Sequence, residues 1–206
     1  MREVSPKFFN RGTIDVAQDL LGKAIVVGNK IGVIAETEAY CGECDLACHA
    51  RFGRTKRSEI LYRQPGTIYV YLCYGVHWMF NIVTEDNDKP GAVLIRGVII
   101  DNFSPARGEI KRGGRIIGQA PTTPSPSSGR RGTNVVFGPG RVTKYFGITG
   151  ADNGRMIGER IKLIDGIKIT SKSIKKSPRV GISFAPEPWR SKKWRFSLIN
   201  SEQANR

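Results

Sequence analysis

Five runs of strand-forming residues crowd the first hundred positions, and they decide what this chain can fold into. They are KAIVVG (23–28), IGVIAETEAY (31–40), TIYVYLCY (67–74), VHWMFNIVTE (76–85) and AVLIRGVII (92–100). β-Branched and aromatic residues dominate them, and such side chains suit a pleated, half-buried surface. The first two are separated only by Asn29-Lys30, and the last two by the turn-rich stretch Asp86 to Gly91. Connections this short join antiparallel neighbours. Helical patterning is scarce. TIDVAQDLLG (13–22) carries an apolar stripe at Val16, Ala17, Leu20 and Leu21, with Thr13 as N-cap and Gly22 as stop. FGPGRVTKYFGI (137–148) offers Pro139 at a helix start and Gly147 at its end. Further strands are expected at 160–170 and 178–185. The pattern predicts an α+β fold whose centre is mainly antiparallel.

With 206 residues the chain suits one domain spanning 1–206. The Pro/Ser/Thr/Gly/Arg stretch 119–133 is expected to be a mobile loop within it, since neither side suffices as a core of its own. The basic tail 191–206 is expected to fray, above all about 197–206.

Charge narrows the partners. Lys and Arg number 33 and Asp and Glu 18, so the net charge is +15. This exceeds what solubility requires and makes a polyanion, most simply nucleic acid, the expected partner. A membrane surface fits less well, because no long basic amphipathic helix and no run of ~18 apolar residues appears. The N-terminus MREVSP has no apolar signal segment, so a cytoplasmic location is expected, nucleoid-associated or, in a eukaryote, nuclear.

The four cysteines are then expected to be reduced. Cys41, Cys44, Cys48 and His49 fall close together, but their spacing matches no common zinc or iron–sulfur framework. No metal is expected.

The strongest chemical signal is AETEAY (35–40). Strand alternation puts Ile34, Glu36, Glu38 and Tyr40 on one face, so two carboxylates and a phenol share a side. One carboxylate could activate water while the other stays structural, or both could do acid–base work; a solvated strand face is the bland alternative. Tyr69 and Tyr71 likewise share a face, and Tyr74 ends its run before Gly75. Such rings stack on nucleobases, although tyrosine is also simply common in strands. Arg96 sits in so apolar a strand that burial would demand a carboxylate partner.

The blocks ETEAYCGECDLACHA, GRTKRSEILYRQPGTIYVYLCYGVHWMFNIVTE, AVLIRG, FGPGRVTKYFGI and PRVGISFAPEPWR resemble, in this order, the monofunctional alkyladenine (3-methyladenine) DNA glycosylase family. The resemblance runs from the DVAQDLLGK segment to about Phe196. It implies a single α+β domain on a curved antiparallel sheet with peripheral helices, and no metal or organic cofactor. It implies double-stranded DNA with damaged bases as partner, and a monomer scanning that DNA is the simplest expectation. It implies that an alkylated purine is flipped out of the duplex and its N-glycosidic bond hydrolysed, leaving an abasic site. 3-Methyladenine and 7-methylguanine would be substrates, with hypoxanthine and ethenoadenine as further candidates.

Residue by residue, Glu38 matches the general base. Arg96 and the backbone carbonyl of Val180 match groups that hold the attacking water. Tyr40, His49 and Tyr71 match the base pocket, and Asn81 a gate against the amino group of normal guanine. Tyr74 matches the intercalating residue, while Arg54, Arg57, Lys144 and Arg179 fall on the side expected to contact DNA. Two other classes compete with this expectation. One is a non-catalytic nucleic-acid-binding module on the same scaffold. The other is a carbohydrate hydrolase using Glu36 and Glu38, which the positive charge disfavours.

Overall fold

In chain order the protein forms α1 (Thr13–Asp19), β1 (Ala24–Val27), β2 (Lys30–Cys41), β3 (Ile68–Cys73), β4 (His77–Thr84) and β5 (Gly91–Ile99). The two-residue strands β6 (Phe103–Ser104) and β7 (Glu109–Ile110) follow, then β8 (Val135–Phe137), α2 (Pro139–Phe146), β9 (Ile161–Ile164), β10 (Ile174–Ser177) and β11 (Arg195–Leu198). The computed structural model describes residues 2–86, 88–100 and 135–198, and of 101–134 only the backbone of β6 and β7. Among the described residues, no helix is long and apolar enough to cross a membrane.

The main sheet runs β10-β11-β2-β5-β4-β3. β1 pairs with β2 and β9, and β8 adds to β5. Every pairing is antiparallel, and the sheet curls into a half-barrel. The result is a single α+β domain, as the strand-rich sequence predicts.

The sheet has one packed face and one functional face. On the packed side, Val16, Ala17 and Leu20 of the α1 region join Ala35, Ala39, Phe80, Ile82, Val93, Ile95 and Phe146 in a continuous core. Thr37 donates its hydroxyl to the carbonyl of Ala17 at 2.7 Å, fixing α1 to β2. Laterally paired residues in an antiparallel sheet point to the same side. The register therefore lines up Arg195, Glu38, Leu94, Asn81 and Tyr69 as one row across β11, β2, β5, β4 and β3. The functional face is built on this row.

Several local expectations change. The α1 cap is Gly12 rather than Thr13. The Thr13 hydroxyl is drawn into the sheet instead, 2.7 Å from Glu85 Oε1 and 2.8 Å from the Thr84 hydroxyl. The first hairpin turns at Gly28-Asn29, because Val27 pairs with Lys30 and Gly28 takes a φ of +58°. α2 starts at Pro139 and ends at left-handed Gly147, as expected.

The strand expected at 160–170 is only Ile161–Ile164. Residues 178–185 form no strand, because Arg179 and Val180 direct their polar groups to β2 and its following loop rather than to a ladder. The tail does not fray from 191: β11 lies between β10 and β2, and Ser197 and Leu198 are buried. The stretch 119–133 and residues 199–206 lie outside the described residues.

Candidate active site

Glu38 is fully buried in the C-terminal third of β2. Each of its oxygens has a donor: the Tyr40 hydroxyl gives a hydrogen bond to Oε2 at 2.9 Å, and the Val180 N–H gives one to Oε1 at 2.8 Å. Arg96 Nε on β5 stands 3.4 Å from Oε1. Burial pushes the Glu38 carboxyl above its ordinary value. Arg96, Val180 and Tyr40 pull it back, and neighbouring Glu36 pushes it up further. A carboxyl raised above its ordinary value by burial, yet supplied with donors for its anion, suits a proton acceptor. Tyr40 keeps its own proton firmly, because burial and the Glu38 charge hold its phenol well above the usual range.

Arg96 is held in turn. Its Nε donates to Glu36 Oε1 at 3.0 Å, and Arg195 lies 3.5 Å from the same oxygen. The demand for a carboxylate partner, read from the apolar surroundings of Arg96, is met twice.

The aromatic wall comes from β3 and from a short 3-10 turn at His49–Phe52. Tyr69 and Tyr71 face the same side, with ring centres 5.3 Å apart. His49 Nδ1 is 2.9 Å from the Tyr69 hydroxyl, and its ring meets Tyr71 edge-on at 4.6 Å. Burial, then the Arg57 and Arg51 charges, lower the His49 value to about 4. The imidazole is therefore neutral at physiological pH. Asn81 is buried, its amide donating to the carbonyls of Tyr69 at 3.2 Å and Met79 at 3.4 Å.

Tyr74 stands apart. It is 91% exposed at the β3–β4 turn, with Leu72 and Val76 also exposed beside it. The Val76 N–H closes that turn onto the Cys73 carbonyl at 3.1 Å.

The basic residues divide. Arg57 places its guanidinium 5.3 Å from the Tyr71 ring centre, at the pocket wall. Exposed Arg54 pairs with Asp88 and lies over the Tyr62 ring. Lys144 is exposed on α2. Arg179 does not belong with them. Its side chain is fully buried against Asp45, so it cannot reach a phosphate. Val180 gives its N–H to Glu38, a contact separate from the role in holding water expected of its carbonyl.

Among the described residues there is no metal-binding cluster of His, Cys, Asp and Glu, and all four cysteines are free. An open depression lined by Tyr62, Arg63, Gln64 and Met156 shares no residue with the Glu38 centre.

Glu36 and Tyr69 join the site as their alternation with Glu38 and Tyr71 predicts; two further residues enter it unannounced. Asp45 and Arg195 come from a loop and a strand whose placement no local pattern signals.

The profile of the methylpurine-DNA glycosylase family matches residues 7–202. Similar proteins carry the provisional name 3-methyladenine DNA glycosylase. One from Chlorobium phaeobacteroides is 36% identical over 98% of this chain and 97% of its own length. One from Methanocella arvoryzae is 38% identical over 89% of this chain and 88% of its own. One from Myxococcus xanthus is 32% identical over all of this chain and 95% of its own.

Proposed function

The chain belongs to the methylpurine-DNA glycosylase family and is a DNA glycosylase, a hydrolase of N-glycosyl bonds; from that premise we propose that Glu38 is its general base and that alkylated purines in duplex DNA are its substrates. The single observation that carries this reading is the buried Glu38 carboxylate, with the Tyr40 hydroxyl, the Val180 N–H and the Arg96 guanidinium around it.

The damaged nucleotide leaves the stack and enters the space bounded by Tyr40, His49 and Tyr71, while Tyr74 fills the gap in the duplex. Hydrolysis at the anomeric carbon passes through a positively charged, oxocarbenium-like sugar. Glu38 takes a proton from the attacking water and stabilises that charge. Arg96 keeps Glu38 anionic and, with the backbone at Val180, orients the water. The C–N bond breaks, the base departs with the bonding electrons, and the water oxygen remains on the sugar of an abasic site.

A purine alkylated on its ring nitrogen is cationic and already a good leaving group. The electron-rich faces of Tyr40 and Tyr71 favour such a ring. Neutral His49 adds no positive charge against it. Asn81, beside Tyr69 in the same row, is positioned to discriminate against the exocyclic amino group of guanine.

The test is release of free base from a panel of defined duplexes carrying 3-methyladenine, 7-methylguanine, hypoxanthine or ethenoadenine. Excision of the cationic lesions by the wild-type protein, and its loss by about 10²–10⁴-fold in Glu38→Gln with lesion binding retained, is the expected result. Lesion binding without release of any base would make the protein a binding module instead.

A further inference from the structure

Glu36 is the second carboxylate of the centre, and the chemistry of Glu38 leaves it without a task. It is only 5% exposed and accepts from Arg96 Nε at 3.0 Å, with Arg195 at 3.5 Å. The same Arg96 nitrogen lies 3.4 Å from Glu38. Its N–H is thus directed to Glu36, while its charge acts on Glu38.

The backbone makes a special arrangement for this contact. Along β2 and β5, Val33 pairs with Ile99 and Ile34 with Val98, and beyond the irregularity Thr37 pairs with Ile95 and Glu38 with Leu94. These four pairs follow one unbroken count. Between them, Glu36 pairs with Gly97, although the count would place it opposite Arg96. Two offsetting bulges, at Ala35 on β2 and at Arg96 on β5, open and close at this step alone. A bulge bends the strand and re-aims a side chain. Gly97 completes the device: a Cβ there would fall 3.1 Å from the Glu36 Cβ and 2.9 Å from the Phe137 ring. An incidental ion pair requires none of these features.

We propose that Glu36 is a positioning residue, which grips the Arg96 guanidinium at Nε, with Arg195 behind it, and so fixes that charge beside the base Glu38. This rests on the reading of Glu38 as general base.

The groups facing Glu38 are Glu36 and Tyr40 on β2, Arg96 on β5, Arg195 paired opposite it on β11, Tyr71 on β3, and the Val180 N–H with Arg179 behind it. Loss of the Glu36 grip changes Glu38 in two opposed ways. Removing a neighbouring negative charge lowers the pH at which Glu38 ionises, whereas releasing Arg96 raises it. A positioning role means that the second effect wins.

The test is the pH dependence of single-turnover excision of 7-methylguanine by the wild type, Glu36→Gln, Glu36→Asp, Arg96→Lys and the Glu36→Gln/Arg96→Lys double variant, with thermal melts and lesion affinity alongside. The acid limb should move up by about one unit in Glu36→Gln, with a loss approaching tenfold on that limb and little change in lesion affinity. Glu36→Asp, which keeps the charge but not the reach, should move the limb in the same direction. This variant also decides the matter if Glu36→Gln does not fold. The double variant should be no slower than Arg96→Lys alone, because Glu36 acts through Arg96.

A limb that moves down or stays put, a Glu36→Asp variant equal to wild type, or additive losses in the double variant would each overturn the proposal. Failure of the underlying reading looks different: either the wild type releases no alkylated base, or Glu38→Gln releases it at full rate.

Discussion

Asp45 and Arg179 form a fully buried ion pair that joins the loop after β2 to the segment after β10. Asp45 also accepts the N–H groups of Cys41 and Ala47, each at 3.1 Å. Arg179 donates to the Ala39 carbonyl at 2.9 Å, and its guanidinium lies over the rings of Tyr40 and Trp194. The next residue, Val180, gives its N–H to Glu38. The pair therefore sets one of the two hydrogen bonds on the proposed base from outside the reacting centre.

Breaking that pair should damage stability and excision together. Removing one member of a buried ion pair leaves an uncompensated charge and typically destabilises by about 3–5 kcal/mol. Asp45→Asn should therefore lower the urea midpoint by a corresponding amount. Excision per folded molecule should also fall, because Val180 no longer meets Glu38. A variant with wild-type stability and rate would show that the loop is held by other contacts.

His49 gives the folded protein a dependence on pH. Its value of about 4 in the fold lies below the ordinary 6.5, so the unfolded chain binds more protons between these two values. The contribution is fully present above pH 6.5 and is lost as the pH falls through 4, reaching on the order of 2–3 kcal/mol. Urea unfolding between pH 7.5 and 4 should show this slope, and His49→Gln should flatten it. The excision rate should show no inflection from His49 between pH 6 and 8.

The thiols should differ sharply in reactivity. Burial raises Cys41 to about 12 and Cys48 to about 11, so neither supplies thiolate at neutral pH. Cys44 is exposed. Brief treatment of the native protein with iodoacetamide should label Cys44 ahead of Cys41 and Cys48, as read by peptide mass spectrometry. Rapid labelling of Cys48 would mean that its turn opens readily.

How far the sequence revealed this arrangement depends on the range of the forces involved. The five strand runs and α2 were legible, because alternation, β-propensity, Pro139 and Gly147 act within a few residues. The shared face of Glu36, Glu38 and Tyr40 was legible for the same reason. The bulges between Glu36 and Arg96 were not, since a register irregularity depends on what the opposite strand presents. The 178–185 segment was misread because its β-rich composition yields to a buried ion pair made with residue 45. β11 was missed because a basic, aromatic tail becomes a strand only where β2 offers it an edge. The aromatic side of the site was thus largely readable, whereas the electrostatic support behind Glu38 came from long-range partners.

Tyr74 shows a conflict between fold and function that one pair of variants can separate. Its φ is +50°, and Gly75 follows at +71°, so the turn needs two consecutive left-handed residues. Glycine adopts this conformation readily, but a residue with a Cβ loses roughly 1–2 kcal/mol by doing so. The ring recovers little of that in the free protein, because it stands in solvent. Strain kept without a packing return points to use of the ring outside the fold. Tyr74→Gly should therefore be more stable than Tyr74→Ala by about 1 kcal/mol, since only the former relaxes the turn. Both should lose the rise in 2-aminopurine fluorescence that reports flipping next to a lesion, since neither has a ring to insert. Equal stability of the two variants would remove the strain argument, and unchanged fluorescence would remove the intercalation role.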